Sequence, residues 1–463
     1  MLSMLQDVIR DYDGFVELRF HAKTFQTLSV AQGKLDSSTV RHRNGVGVRV
    51  LEGGTWGFAS TGDCTPSAVR AAVEQARLGA LASAASRSLR IDSLPEVTLA
   101  RGEFIAPGVE EVLSRSLEEK LQIAIETEAR ARSASQHVPT ASCRYSEIFE
   151  EKAIVTTDGA AASFKLVRPE FRVSVVAERN GERSSSMESI GVTGGWDCLF
   201  RTTPEVMVDK AVGDAVDLLS AKFPEGGRSS VILSPSVVGL LVHEAVGHTV
   251  EADFVMAGSV AANKIGHRVA SDLVTLCDSG KSIYMDGAGG TIPVDDEGVP
   301  AEETVVIDQG ILSSYLHNRE TAAHFGVAPT GNARAWEYSD EPLVRMRNTY
   351  IRPGEQSLEE LIATTPDGYL LDGPRNGQAD ATGEFTFGVQ KAYRIQDGKL
   401  GELVRGVTMT GKAFDVLQTV DGVTREFHWD LGSGHCGKGQ PAKVDAGGPY
   451  IRCQAVLGGH QSE

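Results

Sequence analysis

The run LVHEAVGHTV, residues 241–250, places His243, Glu244 and His248 within one turn or two of each other. Imidazoles are zinc ligands, and a carboxylate beside them can carry a proton. The metallopeptidase pattern H-E-x-x-H sets both histidines on one helix face. Here the spacing is H-E-x-x-x-H, one residue longer. In a regular helix, residues four apart differ by roughly 40° around the axis and residues five apart by roughly 140°. Two imidazoles five apart therefore need a distorted helix to meet one ion. A π-bulge inserts the extra residue and restores a common face, and such bulges favour functional sites. Gly247, just before the second histidine, is expected to ease that distortion.

A catalytic zinc ion takes about three protein ligands and keeps one position open. The chain offers several residues for the third: Glu251, Asp253, His267, Cys277, Asp295, Asp296, His435 and Cys436. Glu251 follows His248 by three residues. Cys436 lies in SGHCGKG, a glycine-flanked loop whose backbone can bring a thiolate close to an ion. Residue types alone do not choose between these two. Asp295, Asp296 and Glu297 read as a turn or charge network rather than a second metal site. An oxyanion would need donors, for which His317, Asn332, Arg334 and His435 are candidates.

The elements that must position these residues are marked by their ends. Ser234-Pro235 puts a capping hydroxyl before a proline suited to the first helical turn, and predicts a helix through the motif. Thr65-Pro66 and Thr203-Pro204 use the same device, and Ser116-x-x-Glu119 and Ser357-x-x-Glu360 read as capping boxes. Asp158-Gly159, Asn180-Gly181, Asp397-Gly398 and Asp421-Gly422 are hairpin signals. VGVRV (46–50) and FRVSVVAE (171–178) read as strands.

A chain of 463 residues is too long for one compact core. The expected fold class is α+β, with an N-terminal α/β domain over 1–224. A β-rich C-terminal domain over 225–463 carries the zinc-site helix. The boundary falls in KFPEGGRSS (222–230), where Pro224, Gly226 and Gly227 cluster. The net charge of −17 argues against a nucleic-acid backbone as partner, since phosphates call for a positive surface. No apolar run approaches the ~20 residues of a membrane span. The N-terminus lacks the basic start and apolar core of a signal peptide, so a cytoplasmic location is expected. The six scattered cysteines are expected to be thiols.

Several blocks together resemble the TldD branch of the TldD/PmbA peptidases. These are HEAVGHTVEADF (243–254), VDDEGVP (294–300), GVAPTGNARA (326–335), RMRNTY (345–350), NGQADATGEFTF (376–387) and HCGKGQP (435–441). GVGVRVLEGGTWGFAST (45–61) looks like the family's N-terminal strand-turn-strand signature. The resemblance implies a zinc metallopeptidase in which His243, His248 and Cys436 are ligands and Glu244 is the general base. It also implies that unfolded or extended peptides are the substrate. The partner it implies is a PmbA/TldE-type homologous subunit without the metal motif, or a second copy of the chain. Two other readings compete. One is a zinc amide hydrolase or tailoring enzyme on a small peptide-like substrate, with the channel remodelled at 251–270. The other is a non-catalytic scaffold subunit, which would not need His243, Glu244, His248 and Cys436 together.

Overall fold

The computed structural model describes residues 1–86 and 90–458. The first half is built on one seven-stranded sheet. Its path runs Thr55–Thr61, Lys34–Glu52, Phe15–Ala31, Thr140–Thr156, Ala161–Arg179, Arg101–Ile105, and Glu182–Gly191 also pairs with Ala161–Arg179. The helices Pro66–Ala84, Leu117–Ser133 and Pro204–Leu218 bury apolar stripes against this sheet. Their starts follow from the sequence. Thr65 Oγ1 accepts from Ala68 N, Thr203 Oγ1 accepts from Val206 N, and Ser116 and Glu119 form a reciprocal capping box.

The hairpin signals are met at three of four places. Asp158-Gly159 turns Thr140–Thr156 into Ala161–Arg179. Asn180-Gly181 and Asp397-Gly398 take positive φ between antiparallel strands, as tight right-twisted hairpins require. Asp421-Gly422 does not form a hairpin. It follows the helix Ala413–Gln418, and Gly422 enters a two-residue strand paired with Ile451–Gly458. The longest hairpin instead turns at Gln32-Gly33, both with positive φ.

The opposite face of the first sheet is charged rather than apolar. Glu17, Arg19, His21, Lys23, Arg49, Glu150, Lys152 and Arg168 are all buried. They are paired among themselves and with the turn at 295–297. Arg49 bonds Glu17 and Glu297, while Lys152 donates to both oxygens of Asp296 at 2.7 and 2.9 Å. Burial and the neighbouring Glu297 push the Asp295 carboxyl well above its usual range. Its oxygens accept from the amides of Glu297, Val299 and Ala333. Asp295, Asp296 and Glu297 thus form a turn and a charge network joining the two halves.

The second half holds a larger sheet and a six-stranded one. In the larger sheet, Asp367–Ala379 pairs with both Gly227–Leu233 and Glu384–Gln396, so the sheet closes on itself. The six-stranded sheet centres on Leu276–Ser279 and Asn348–Ile351. The segment Pro235–Val250 lies between them. Val237, Val238, Leu241, Val242, Ala245, Val246 and Val250 share one core with residues of both sheets. A helix apolar on nearly every side is a core helix. Its polar exceptions are therefore the residues to explain. No helix among the described residues is long and apolar enough to cross a membrane.

Candidate metal centre

The segment opening at Ser234-Pro235 is regular only to Leu240. Leu241–Gly247 is π-helical, and His248–Val250 closes as a short 3₁₀ turn. The His248 amide donates to the His243 carbonyl, five residues back. This widened turn is the distortion that the i, i+5 spacing calls for. It brings the two imidazoles edge to face, with ring centroids 5.2 Å apart. Gly247 does not ease the bulge, because its φ of −56° and ψ of −49° are ordinary helical values. Space requires it instead: a Cβ there would run into Met346 Sδ.

Cys436 arrives from the hairpin His435–Gly437/Pro441–Lys443. One ligand atom each from His243, His248 and Cys436 lie within 4.8 Å of one another. No other such group of three histidine, cysteine or acidic residues occurs among the described residues. His243 is 3% exposed, and neither of its ring nitrogens has a hydrogen-bond partner. Buried polar atoms are nearly always paired, so a doubly orphaned imidazole facing a second histidine and a thiol fits a metal ligand. Burial holds the His243 ring below its ordinary pKa, which favours the neutral form that binds metal.

The other two residues have partners that fix their aim. A proton on His248 Nδ1 serves Glu251 Oε2 at 3.1 Å and leaves the Nε2 lone pair free. Glu251 is fully buried. It also accepts from Lys438 Nζ at 3.0 Å and the Met346 amide at 3.3 Å. Its oxygens are thus committed to orienting His248, the partner role common behind metal-binding histidines. Cys436 Sγ accepts from Arg345 Nη2 at 2.7 Å, and the same nitrogen reaches the Cys436 carbonyl at 2.9 Å. Arg345 Nη1 donates to Gln440 O at 2.8 Å, so one guanidinium pins the loop and its sulfur.

Glu244 stands apart from this packing. Its side chain is 30% exposed, with Oε2 3.9 Å from His248 Nε2. The remaining candidates separate clearly. Asp253 pairs with Lys438 at 2.7 Å, His267 is exposed, and Asp296 is tied to Lys152. Cys277 is buried with Tyr350 and Phe427, where burial pushes its thiol up to about 12. Both Asn332 Nδ2 donor bonds are spent on Asp278 and the Arg345 carbonyl. Arg334 is not a free donor. It is buried and straps the Met346 and Lys443 carbonyls at 2.6 and 2.5 Å. His317 packs against Tyr315 and Phe325, with Nδ1 3.1 Å from Thr321 Oγ1. His435 stacks edge-on to Trp336 at 5.6 Å, beside the pocket described below.

Sequence reasoning missed Arg345 and Lys438. Both lie in blocks already singled out, RMRNTY and HCGKGQP, but nothing local ties them to Cys436 or Glu251. Arg345 lies 91 residues before Cys436, and Lys438 lies 187 residues after Glu251.

Family models for the PmbA/TldA metallopeptidases match along the chain: domain 1 at residues 16–80, the central domain at 110–219 and the C-terminal domain at 226–458. A metalloprotease of Methanothermobacter thermautotrophicus is 34% identical, covering 99% of this chain and 98% of that one. A zinc metalloprotease TldD homolog of Saccharolobus solfataricus is 27% identical over 96% of this chain and 97% of its own. Among solved structures, TldE from Thermococcus kodakarensis shares the fold with a TM-score of 0.79 at 19% identity, over 98% of this chain and 99% of that one. With three successive family domains and a full-length relative above 30% identity, the chain belongs to the PmbA/TldD family of metallopeptidases.

Proposed function

We propose that this chain is a zinc-dependent peptidase that cleaves unfolded or extended peptides, with His243, His248 and Cys436 as metal ligands and Glu244 as general base. The observation that carries this reading is the convergence of two imidazoles and a thiol around His243, whose ring nitrogens are buried and unpartnered. A zinc ion held there supplies Lewis acidity, polarising a peptide carbonyl and lowering the pKa of water toward ~7. The protein's own groups do the rest. Glu251 holds the His248 ring in one orientation, and Arg345 holds Cys436. Glu244, the partly exposed carboxylate of the group, takes the proton of the attacking water and returns it to the leaving amine.

Substrate capture by strand addition fits the second half. The short two-stranded hairpin carrying Cys436 offers a strand edge at the cluster. A homologous subunit of the TldE kind, or a second copy, would close the cleft over such a peptide. Metal analysis of the purified chain tests the ligand set, and a scaffold subunit would hold no stoichiometric zinc. A peptide-library digest tests the substrate class. Zinc without cleavage of any library member would favour a hydrolase of a small specialised amide. Size measurement in solution should give a dimer or larger species, and a fully active monomer would refute the paired arrangement.

A further inference from the structure

A cavity of about 330 Å³ opens on the far side of the hairpin that carries Cys436. Successive residues of a strand point to opposite faces, so His435 lines this cavity while Cys436 turns to the metal side. The floor is the charged face of the first sheet, the one opposite its helices. There Arg144 and Arg172 are directly opposed across antiparallel strands. Like charges in such a pair repel and destabilise the sheet. Their row neighbours are Ser29 on one side and Ser189 on the other, neither of them acidic.

Among the described residues, neither arginine side chain has a hydrogen bond or an ion pair. The one carboxylate in the lining, Glu170, is already engaged. Its Oε2 accepts from Ser146 at 3.2 Å and its Oε1 pairs with buried Lys443. A chain with net charge −17 thus keeps two adjacent guanidinium groups free at the mouth of a cavity walled by Trp336.

We propose that Arg144 and Arg172 form a carboxylate-binding subsite for the peptide substrate, with Trp336 packing against the residue that bears the carboxylate. The proposal rests on the peptidase reading. Two guanidinium forks side by side match the two oxygens of a carboxylate, and the arriving charge removes the repulsion between them. The carboxylate is either the peptide's C-terminal group or an aspartate or glutamate side chain.

The test is binding without turnover, read by tryptophan fluorescence on the full chain with a Trp336→Phe control. The probes are N-acetyl-leucine, N-acetyl-leucinamide and the α-amide of N-acetyl-glutamic acid. The free acid should bind at least on the order of tenfold tighter than leucinamide. Arg144→Gln and Arg172→Gln should each weaken it by roughly tenfold to a hundredfold, the range for bonds to charged groups. Binding of the glutamic α-amide would identify a side-chain carboxylate as sufficient, and its failure would assign the site to the C-terminus. Arg144→Gln should also raise the melting temperature while weakening the acid, a pairing that a structural arginine would not give. Equal binding of acid and amide, or unchanged acid affinity in both arginine variants, would overturn the subsite. Discrimination of acid from amide by a protein that cleaves no peptide would instead refute the peptidase reading alone.

Discussion

Two helices of this protein begin alike and end differently. Thr203-Pro204 opens Pro204–Leu218, which stays regular for 15 residues, with Thr203 capping the Val206 amide. Ser234-Pro235 opens a segment that is regular for six residues and then widens into a π-helix. Ser234 makes no capping bond to the backbone, and its Oγ lies 2.9 Å from Ser236 Oγ. The first helix lies on a sheet with its outer face in water. The second is enclosed by two sheets, with Gly239 against the Ala446 backbone and Gly247 against Met346. At the surface, a cap and one apolar stripe against the sheet hold a regular helix. Inside the core, packing on every side holds a poorer backbone geometry, and the candidate metal ligands His243 and His248 occupy that place.

The largest break in this comparison should come from the polar exceptions on the buried segment. Glu244→Gln should keep zinc bound and lower turnover on the order of 10²–10⁴-fold, since the amide cannot accept the water proton. Full activity, or loss of zinc measured by elemental analysis, would remove Glu244 from the base role. Cys436→Ala should lower both zinc content and activity, whereas Cys453→Ala, buried in the apolar core, should leave zinc content unchanged. Alkylation at Cys436, followed by mass spectrometry, should rise after chelation because a metal-held thiolate is shielded. Retained zinc in Cys436→Ala would return Glu251 to contention.

Glycine replacements should separate the two helices. Gly247→Ala forces a Cβ onto Met346 Sδ and should cost roughly 1–3 kcal/mol in denaturant unfolding, with weaker zinc retention. Thr203→Ala should cost about 1 kcal/mol, and Ser234→Ala distinctly less because no backbone cap is lost. Gly213→Ala, in the middle of Pro204–Leu218 with nothing within 4 Å of the added Cβ, should stabilise by about 0.4–1 kcal/mol. Equal effects at Gly247 and Gly213 would show that the two helices are held by the same forces after all.

The site was legible in outline because its oddity is local. One residue too many between His243 and His248 forces either a π-turn or divergent imidazoles, and a six-residue window contains that information. The two capping boxes at Ser116 and Ser357 were legible for the same reason, since each closes within four residues. Asp421-Gly422 was misread because a turn signal does not state what lies on either side of it. Arg334 was not legible as a strap, because the two carbonyls that take up its guanidinium reach it only in the whole fold. Gly247 was assigned the right importance for the wrong cause, the decisive neighbour being Met346, 99 positions away in the chain.

By itself, then, the sequence determined the α+β class, the helix starts, three of the four marked hairpins and the need for a distorted turn at the motif. These depend on residues within a few positions of each other, where sterics and short hydrogen bonds act directly. Only the tertiary structure decided that Cys436 stands beside the two histidines, that Glu251 turns to His248, and that Arg345 grips the sulfur. It also decided that Arg144 meets Arg172 with no acid between them. Such contacts are set by sheet register and by the packing of two sheets about one buried helix. Side chains tens or hundreds of positions apart become neighbours only when that packing closes.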